Sequence, residues 1–369
     1  MNIPAEERNA KVESLLREYI KVAKTKEIIT YPSPFTVDEV ETLFSNHIWG
    51  HREIILTILM ATLLDPSFKA SVNFYACNPR AIYENPIRHV LRENGIPHKK
   101  SGPLNVAKNS QRIDGVWAHN KRGDGMALIV AKLVKKIEAA SPATLKKFVL
   151  AYVKRYLQEA TKVEILKREI VKIEDPILLA CLCTDLINCV PDGGGTPQFI
   201  VGSLMDNCNK GNKSPIITSD YADSVSTTNT TSKKPGDITE TIPENGERIY
   251  EVTVKQFTND RMIESYEAIK AAGFLEKTRE VYVICKKDDA PDDGVTMLDS
   301  SFHFARAEYQ GVIYYFVDIF EWINVSLLFT PPIGRAAFYK DLVEKINDIN
   351  TSEKVKKFFG EWLKEHGML

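Results

Sequence analysis

The sequence predicts an α/β (α+β) protein: a central mixed sheet flanked by helices, preceded by a mostly helical N-terminal half. Three observations carry this. Apolar residues in the first half recur at three- and four-residue spacing, the helical period. Residues 238–285 read as strand, hairpin, strand, helix, strand. The length of 369 residues, against about 100–200 per domain, makes two domains the natural division. Hydrophobic residues are 44% and charged residues 26%, which excludes a disordered chain and supplies enough apolar side chain for a core.

The start, MNIPAEERNAKVESLLREYI, is charged and amphipathic, without the apolar centre of a signal peptide. The longest apolar runs, Ile54–Leu64 and Ile177–Leu182, are of core length, so no membrane contact is expected. Six cysteines in a chain of this size do not make a secreted disulfide framework. A cytoplasmic protein with reduced thiols is the expectation.

Helices are expected over Ala5–Ala23, Val37–Leu64, Met126–Ala139 and Leu145–Ala160. Pro79, Pro86, Pro97 and Pro103 break the stretch between them into short pieces. From Pro97 to Lys172 there are 17 Lys/Arg against 6 Asp/Glu, a local net charge of +11 on a chain whose total is -1. Such a basic region is the electrostatic footprint of phosphate binding, although the wet face of an ordinary helix explains any one helix of it. An apolar helix over Asp175–Val190 and another over Gln198–Asn207 follow. The composition then changes to Ser, Thr, Asn and Lys over 209–236, a loop suited to phosphates and base edges, or else a linker. The expected organisation is a mainly helical region over 1–174 for DNA binding and dimerisation, and a domain over 175–369 carrying this loop.

The sharpest pattern lies in the second half. Ile238–Ile242 is strand-like, Asn245-Gly246 is a turn signal, and Arg248–Phe257 alternates with period two over most of its length. A helix over Asn259–Ala272 and a buried strand over Glu280–Cys285 follow, with a later strand at Val312–Phe316 and terminal helices over Ala336–Ile346 and Ser352–His366. Period-two geometry puts Glu251, Thr253 and Lys255 on one strand face and Val252 and Val254 on the other. The hairpin brings Asp237 beside them. Carboxylates, a hydroxyl and an ammonium so gathered can hold a divalent metal and stabilise negative charge, as metal-assisted phosphodiester hydrolysis requires. An ordinary hairpin with polar residues facing water is the bland alternative.

Pro235-Gly236-Asp237 followed by Glu251-Val252-Thr253-Val254-Lys255 resembles the PD-(D/E)xK nuclease motif. The strand, strand, helix, strand order is similar to that superfamily's common core. The strings NTTSKKPGD and YEVTVKQF look like type II restriction endonucleases, in particular the SacI-like kind; NFYACNPRAIYENPIR and KSGPLNVAKN are similar to such enzymes too. The resemblance implies a restriction-endonuclease-like core and site-specific, magnesium-dependent (Mg2+) cleavage of double-stranded DNA by a homodimer. A cognate DNA methyltransferase would accompany it in the same organism without contacting it. The alternatives are a structure-specific or repair nuclease with the same core, and a DNA-binding module without catalysis.

Two departures from the motif stand out. Gly236 intervenes between proline and aspartate, and Thr253 stands where the second acid is usual. Glu251 is the nearest replacement, with Glu264 and Glu267 as alternatives. The resemblance then implies Asp237 and an acid as metal ligands and Lys255 as the group acting on the attacking water. Expected DNA contacts are Lys99, Lys100, Thr230, Thr231, Ser232, Lys233, Lys234 and Gln256. His47 and His51 have the i, i+4 helical spacing that can bind a metal, but no HExxH glutamate and no third ligand accompany them, so an ordinary helix surface is expected. The cysteines from Cys181 to Cys208, the Gly193–Gly195 run and the acidic run at 288–293 lack the spacing of metal or phosphate sites.

Hairpin register decides the site. A two-residue loop at Asn245-Gly246 would set Asp237 opposite Val254, on the valine side, because a one-residue slip reverses every orientation. A loop of three to five residues, or a bulge near Pro243, is therefore expected.

Overall fold

The structure, a computed structural model, describes residues 4–28, 30–120, 125–222, 234–244, 246–291 and 293–368. It divides into two units, Met1–Ile165 and Leu166–Leu369. The expected boundary at 174/175 lies inside the second. None of the described helices is by itself long and apolar enough to cross a membrane.

The first unit is helical among its described residues. Its helices include α1 (Ala5–Thr25), α2 (Val37–Ser45), α3 (Gly50–Leu64), α4 (Gly102–Ala107), α5 (Met126–Ala139) and α6 (Pro142–Leu166). The single helix expected over Val37–Leu64 is two. Asn46 is extended, and its side-chain oxygen accepts the Ile48 N–H at 2.7 Å, a local bond that competes with the helix ladder. His47 consequently lies exposed in the break while His51 is buried in α3.

α3 is buried on nearly every face, including Arg52 and Glu53, both 0% exposed. The Arg52 guanidinium lies 4.5 Å from the Trp49 ring centroid and donates to the Pro97 carbonyl at 3.1 Å. Glu53 accepts the Lys99 N–H at 2.7 Å, and burial pushes its carboxyl up to about 7. Much of the basic stretch acts inside this unit. Lys136 donates to Glu39 at 2.7 Å, Arg155 to Glu41 at 2.7 Å and Lys154 to the Ala23 carbonyl at 3.1 Å. Lys100, Lys108, Lys132, Lys135, Lys146 and Lys147 remain exposed.

The second unit is an α+β body with a seven-stranded mixed sheet. Its strands are β1 (Ile217–Ser219), β2 (Ile238–Ile242), β3 (Gly246–Val252), β4 (Glu280–Cys285), β5 (Thr296–Met297), β6 (His303–Tyr309) and β7 (Val312–Asp318), in the order β1-β2-β3-β4-β7-β6-β5. β4 runs parallel to β3 and β7, and the other neighbours are antiparallel. The helices are α7 (Pro176–Cys189), α8 (Gly195–Gly211), α9 (Asn259–Ala271), α10 (Ile319–Phe329), α11 (Pro332–Asn347) and α12 (Glu353–Glu365). One sheet face (Ile238, Tyr250, Val252, Ile284, Val317) packs on α7, α8, α10, α11 and α12. The other (Ile249, Val281, Val283, Tyr314, Phe316) packs on α9 through Met262 and Ile269. Lys356 of α12, 0% exposed, donates to the Asp348 carbonyl at 2.6 Å and to that of Ile346, closing the C-terminal end of α11.

β3 ends at Val252, five residues before the expected end at Phe257. β6 and α10 lie where no element was expected.

Close packing makes one small residue indispensable in the first unit. A Cβ on Gly50 would come within 2.5 Å of the Gly102 carbonyl oxygen and of Val106 Cγ2. Gly50→Ala should therefore destabilise the unit by about 1–3 kcal/mol, the usual cost of overpacking, read as a lower denaturant midpoint with an unchanged m-value.

Candidate active site

The site is built by the β2–β3 hairpin. Ile242 pairs with Gly246 and Ile238 with Tyr250, so residues 243–245 form a three-residue connection. Glu244 and Gly246 have positive φ, 68° and 90°, as such a turn demands. The expected longer loop is present, and its register carries the next residue outward, Asp237, to the level of Glu251. Asp237 precedes β2 and donates its N–H to the Tyr250 carbonyl at 3.0 Å. Its carboxylate accepts the Val252 N–H at 3.0 Å, which holds it at the end of the ladder. Gln198 of α8 reaches its carbonyl at 3.3 Å.

The extra glycine of the motif has a steric reason. A Cβ on Gly236 would stand 2.6 Å from Ile249 Cγ2 and 3.0 Å from the Tyr250 carbonyl oxygen. Only glycine lets the segment lie this close to β3 and deliver Asp237 to Glu251.

Glu251 is 5% exposed and lies on the α9 face of the sheet. Ser265 of α9 donates to it at 3.0 Å, and its carboxyl also meets that of Asp237. Burial first, and then the Asp237 charge, push Glu251 well above the ordinary carboxylate range. Two acids so placed resist ionising together. A divalent cation with hard oxygen preferences relieves that repulsion, and Mg2+ commonly takes one or two carboxylates and fills its remaining positions with water and phosphate. The oxygen pair thus fits such an ion. Among the described residues no group of three or more His, Cys, Asp or Glu is gathered for a metal.

Thr253 continues the strand by one hydrogen bond, donating its N–H to the Ile284 carbonyl at 3.0 Å. The chain then turns. The Thr253 hydroxyl donates to the Lys255 carbonyl at 2.9 Å and accepts the Lys255 N–H at 3.1 Å. It also accepts from Arg261 Nη1 at 2.6 Å. Lys255 and Gln256 are exposed in this turn, so the alternation that aligned Lys255 with Glu251 is not strand geometry there. Glu264 and Glu267 are exposed on the outer side of α9, and Glu267 lies 3.8 Å from Lys270. Ser265 and Arg261, not singled out in the sequence, are the α9 residues turned to the site. Their i, i+4 spacing was the available signal.

The expected DNA contacts are scattered. Lys99 holds its ammonium 4.7 Å from the Trp49 ring centroid, in the first unit, and Lys100 is exposed there. Lys234 pairs with Asp220 at 2.9 Å. Thr230, Thr231, Ser232 and Lys233 lie outside the described residues.

A carboxyl raised on folding contributes stability below its unfolded value, and the contribution is lost as pH rises through the folded value. Glu251→Gln should therefore melt higher than the wild type at pH 8 without divalent cations, by about 2–4 °C for each ~1 kcal/mol relieved, and match it near pH 4. Equal melting at pH 8 in calorimetry would show that Glu251 ionises freely. A scan against protein-family models finds no match to this chain, and a search of curated proteins finds none.

Proposed function

We propose that the second unit hydrolyses phosphodiester bonds in double-stranded DNA with Mg2+, as a site-specific endonuclease of the restriction type. The observation that carries this is the meeting of Asp237 and Glu251 across the hairpin. The strand, strand, helix, strand order from β2 through β3 and α9 to β4, like that of PD-(D/E)xK nucleases, supports it. Asp237 and Glu251 would hold the metal, which supplies charge neutralisation at the phosphate and a more acidic water. The Val252 N–H orients one carboxylate and the Ser265 hydroxyl the other, so both are set before substrate arrives. Cutting both strands calls for two such sites, hence a homodimer on DNA. A restriction role in the cytoplasm also calls for a cognate methyltransferase.

Purified protein with plasmid and Mg2+ should give discrete fragments. Asp237→Ala should lower the single-turnover rate by about 100- to 1000-fold or more while DNA affinity, measured in Ca2+, stays within a few-fold. Cutting at the wild-type rate would sink the assignment, and nicking confined to branched substrates would point to a repair nuclease. Lys100, exposed and unlike Lys99 not seated on a ring, should contribute one phosphate contact. Lys100→Ala should reduce the slope of log affinity against log salt by about one unit; an unchanged slope makes it a solvated lysine.

A further inference from the structure

We propose that Arg261, and not Lys255, is the fixed cation of the Asp237/Glu251 site. The inference rests on the hydrolase reading above and names a residue that reading leaves out.

The ladder supplies the first argument. β3 pairs with β4 through Val252, and Thr253 adds one more bond, so Thr253 is the last residue held in register. It stands two positions after Glu251, on the same side of the strand, where a side chain two residues on stays beside its neighbour. That place holds a hydroxyl and no cation. Lys255 lies beyond the point at which the chain leaves the ladder, and its side chain is exposed.

The Thr253 hydroxyl in turn holds a cation. Thr253 Oγ1 is 2.6 Å from Arg261 Nη1, 4 % exposed, and fixed on its other side by the Lys255 backbone. The guanidinium also lies 5.1 Å from the centroid of the Phe257 ring, which is itself 0% exposed. A hydrogen bond and a ring face together leave the planar fork one orientation. Its positive charge acts on Glu251 and on Asp289, which follows β4.

Helix electrostatics supply a further argument. Thr258 caps α9 by accepting the Arg261 N–H, so Arg261 sits in the first turn. The helix dipole disfavours a cation there. The position is therefore poor for α9 itself, and the carboxylates at the strand ends offset it.

Wild type, Arg261→Gln, Arg261→Lys and Lys255→Gln would be compared in two measurements. The first is Mg2+ affinity of the DNA-free protein by calorimetry. A cation fixed beside the acids repels the metal, so Arg261→Gln should bind Mg2+ about 3- to 10-fold more tightly, with Lys255→Gln moving far less. The second is single-turnover cleavage. Arg261→Gln should lose about 100-fold or more, a much larger loss than that of Lys255→Gln, with Arg261→Lys recovering part. Melting curves identify any variant that fails to fold, and Arg261→Lys, which keeps the charge, carries the comparison in that event. Lys255→Gln exceeding Arg261→Gln in both measurements overturns this inference alone. Wild type that neither binds Mg2+ nor cuts DNA sinks the hydrolase reading and takes this inference with it. Wild type that binds Mg2+ without cutting, with affinity rising only in Arg261→Gln, removes the nuclease activity and leaves the cation assigned.

Discussion

The second unit depends on the register of one hairpin. Three residues, 243–245, connect β2 to β3, and that odd number decides which side chains share a face. With two residues the acids would sit on opposite sides of the sheet, one of them in the apolar core between sheet and helices. With three, Asp237 and Glu251 meet on the α9 face. Gly236 enforces the same result from the other end, because any side chain there would lift Asp237 off β3.

How legible was this in the sequence? β2 and β4 have the bounds read from their residue pattern, and so does α5 in the first unit: β4 is a short apolar run buried on both faces, and α5 has one apolar stripe. β3 does not. RIYEVTVKQF alternates through Val254 although the strand ends at Val252, because Val254 packs on the core after the last ladder residue, and Phe257, out of phase with it, is buried beyond the turn. A binary pattern records burial and is blind to the bend that achieves it. β6 escaped notice because its residues mix charge and alanine, and a register shift between His303 and Ala305 interrupts its period.

The pairing of Asp237 with Glu251 was readable once the turn length was questioned. For Arg261 the i, i+4 spacing with Ser265 gives a shared face of α9 and no more, because its bond to Thr253 exists only where the chain leaves the ladder. The basic stretch taught a related lesson in the first unit. Its charge excess was read correctly as arithmetic, but Lys136, Lys154 and Arg155 act inside the unit on carboxylates and helix-end carbonyls. Net charge counts such residues as free when the fold has already engaged them.

The central place of β4 has a consequence for how the sheet assembles. Its neighbours β3 and β7 each belong to a hairpin, β2–β3 and β6–β7, whose partners are adjacent in sequence. Such local pairs close quickly. β4 has no hairpin partner and enters between the two, parallel to both, joined to the first hairpin by residues 253–279 and to the second by residues 286–302. Until it does, Val281, Val283, Ile284 and Cys285, all 0% exposed in the finished sheet, face water beside two open strand edges. By contact order this six-residue strand is the one expected to join last, and its delay would leave the longest apolar edges open.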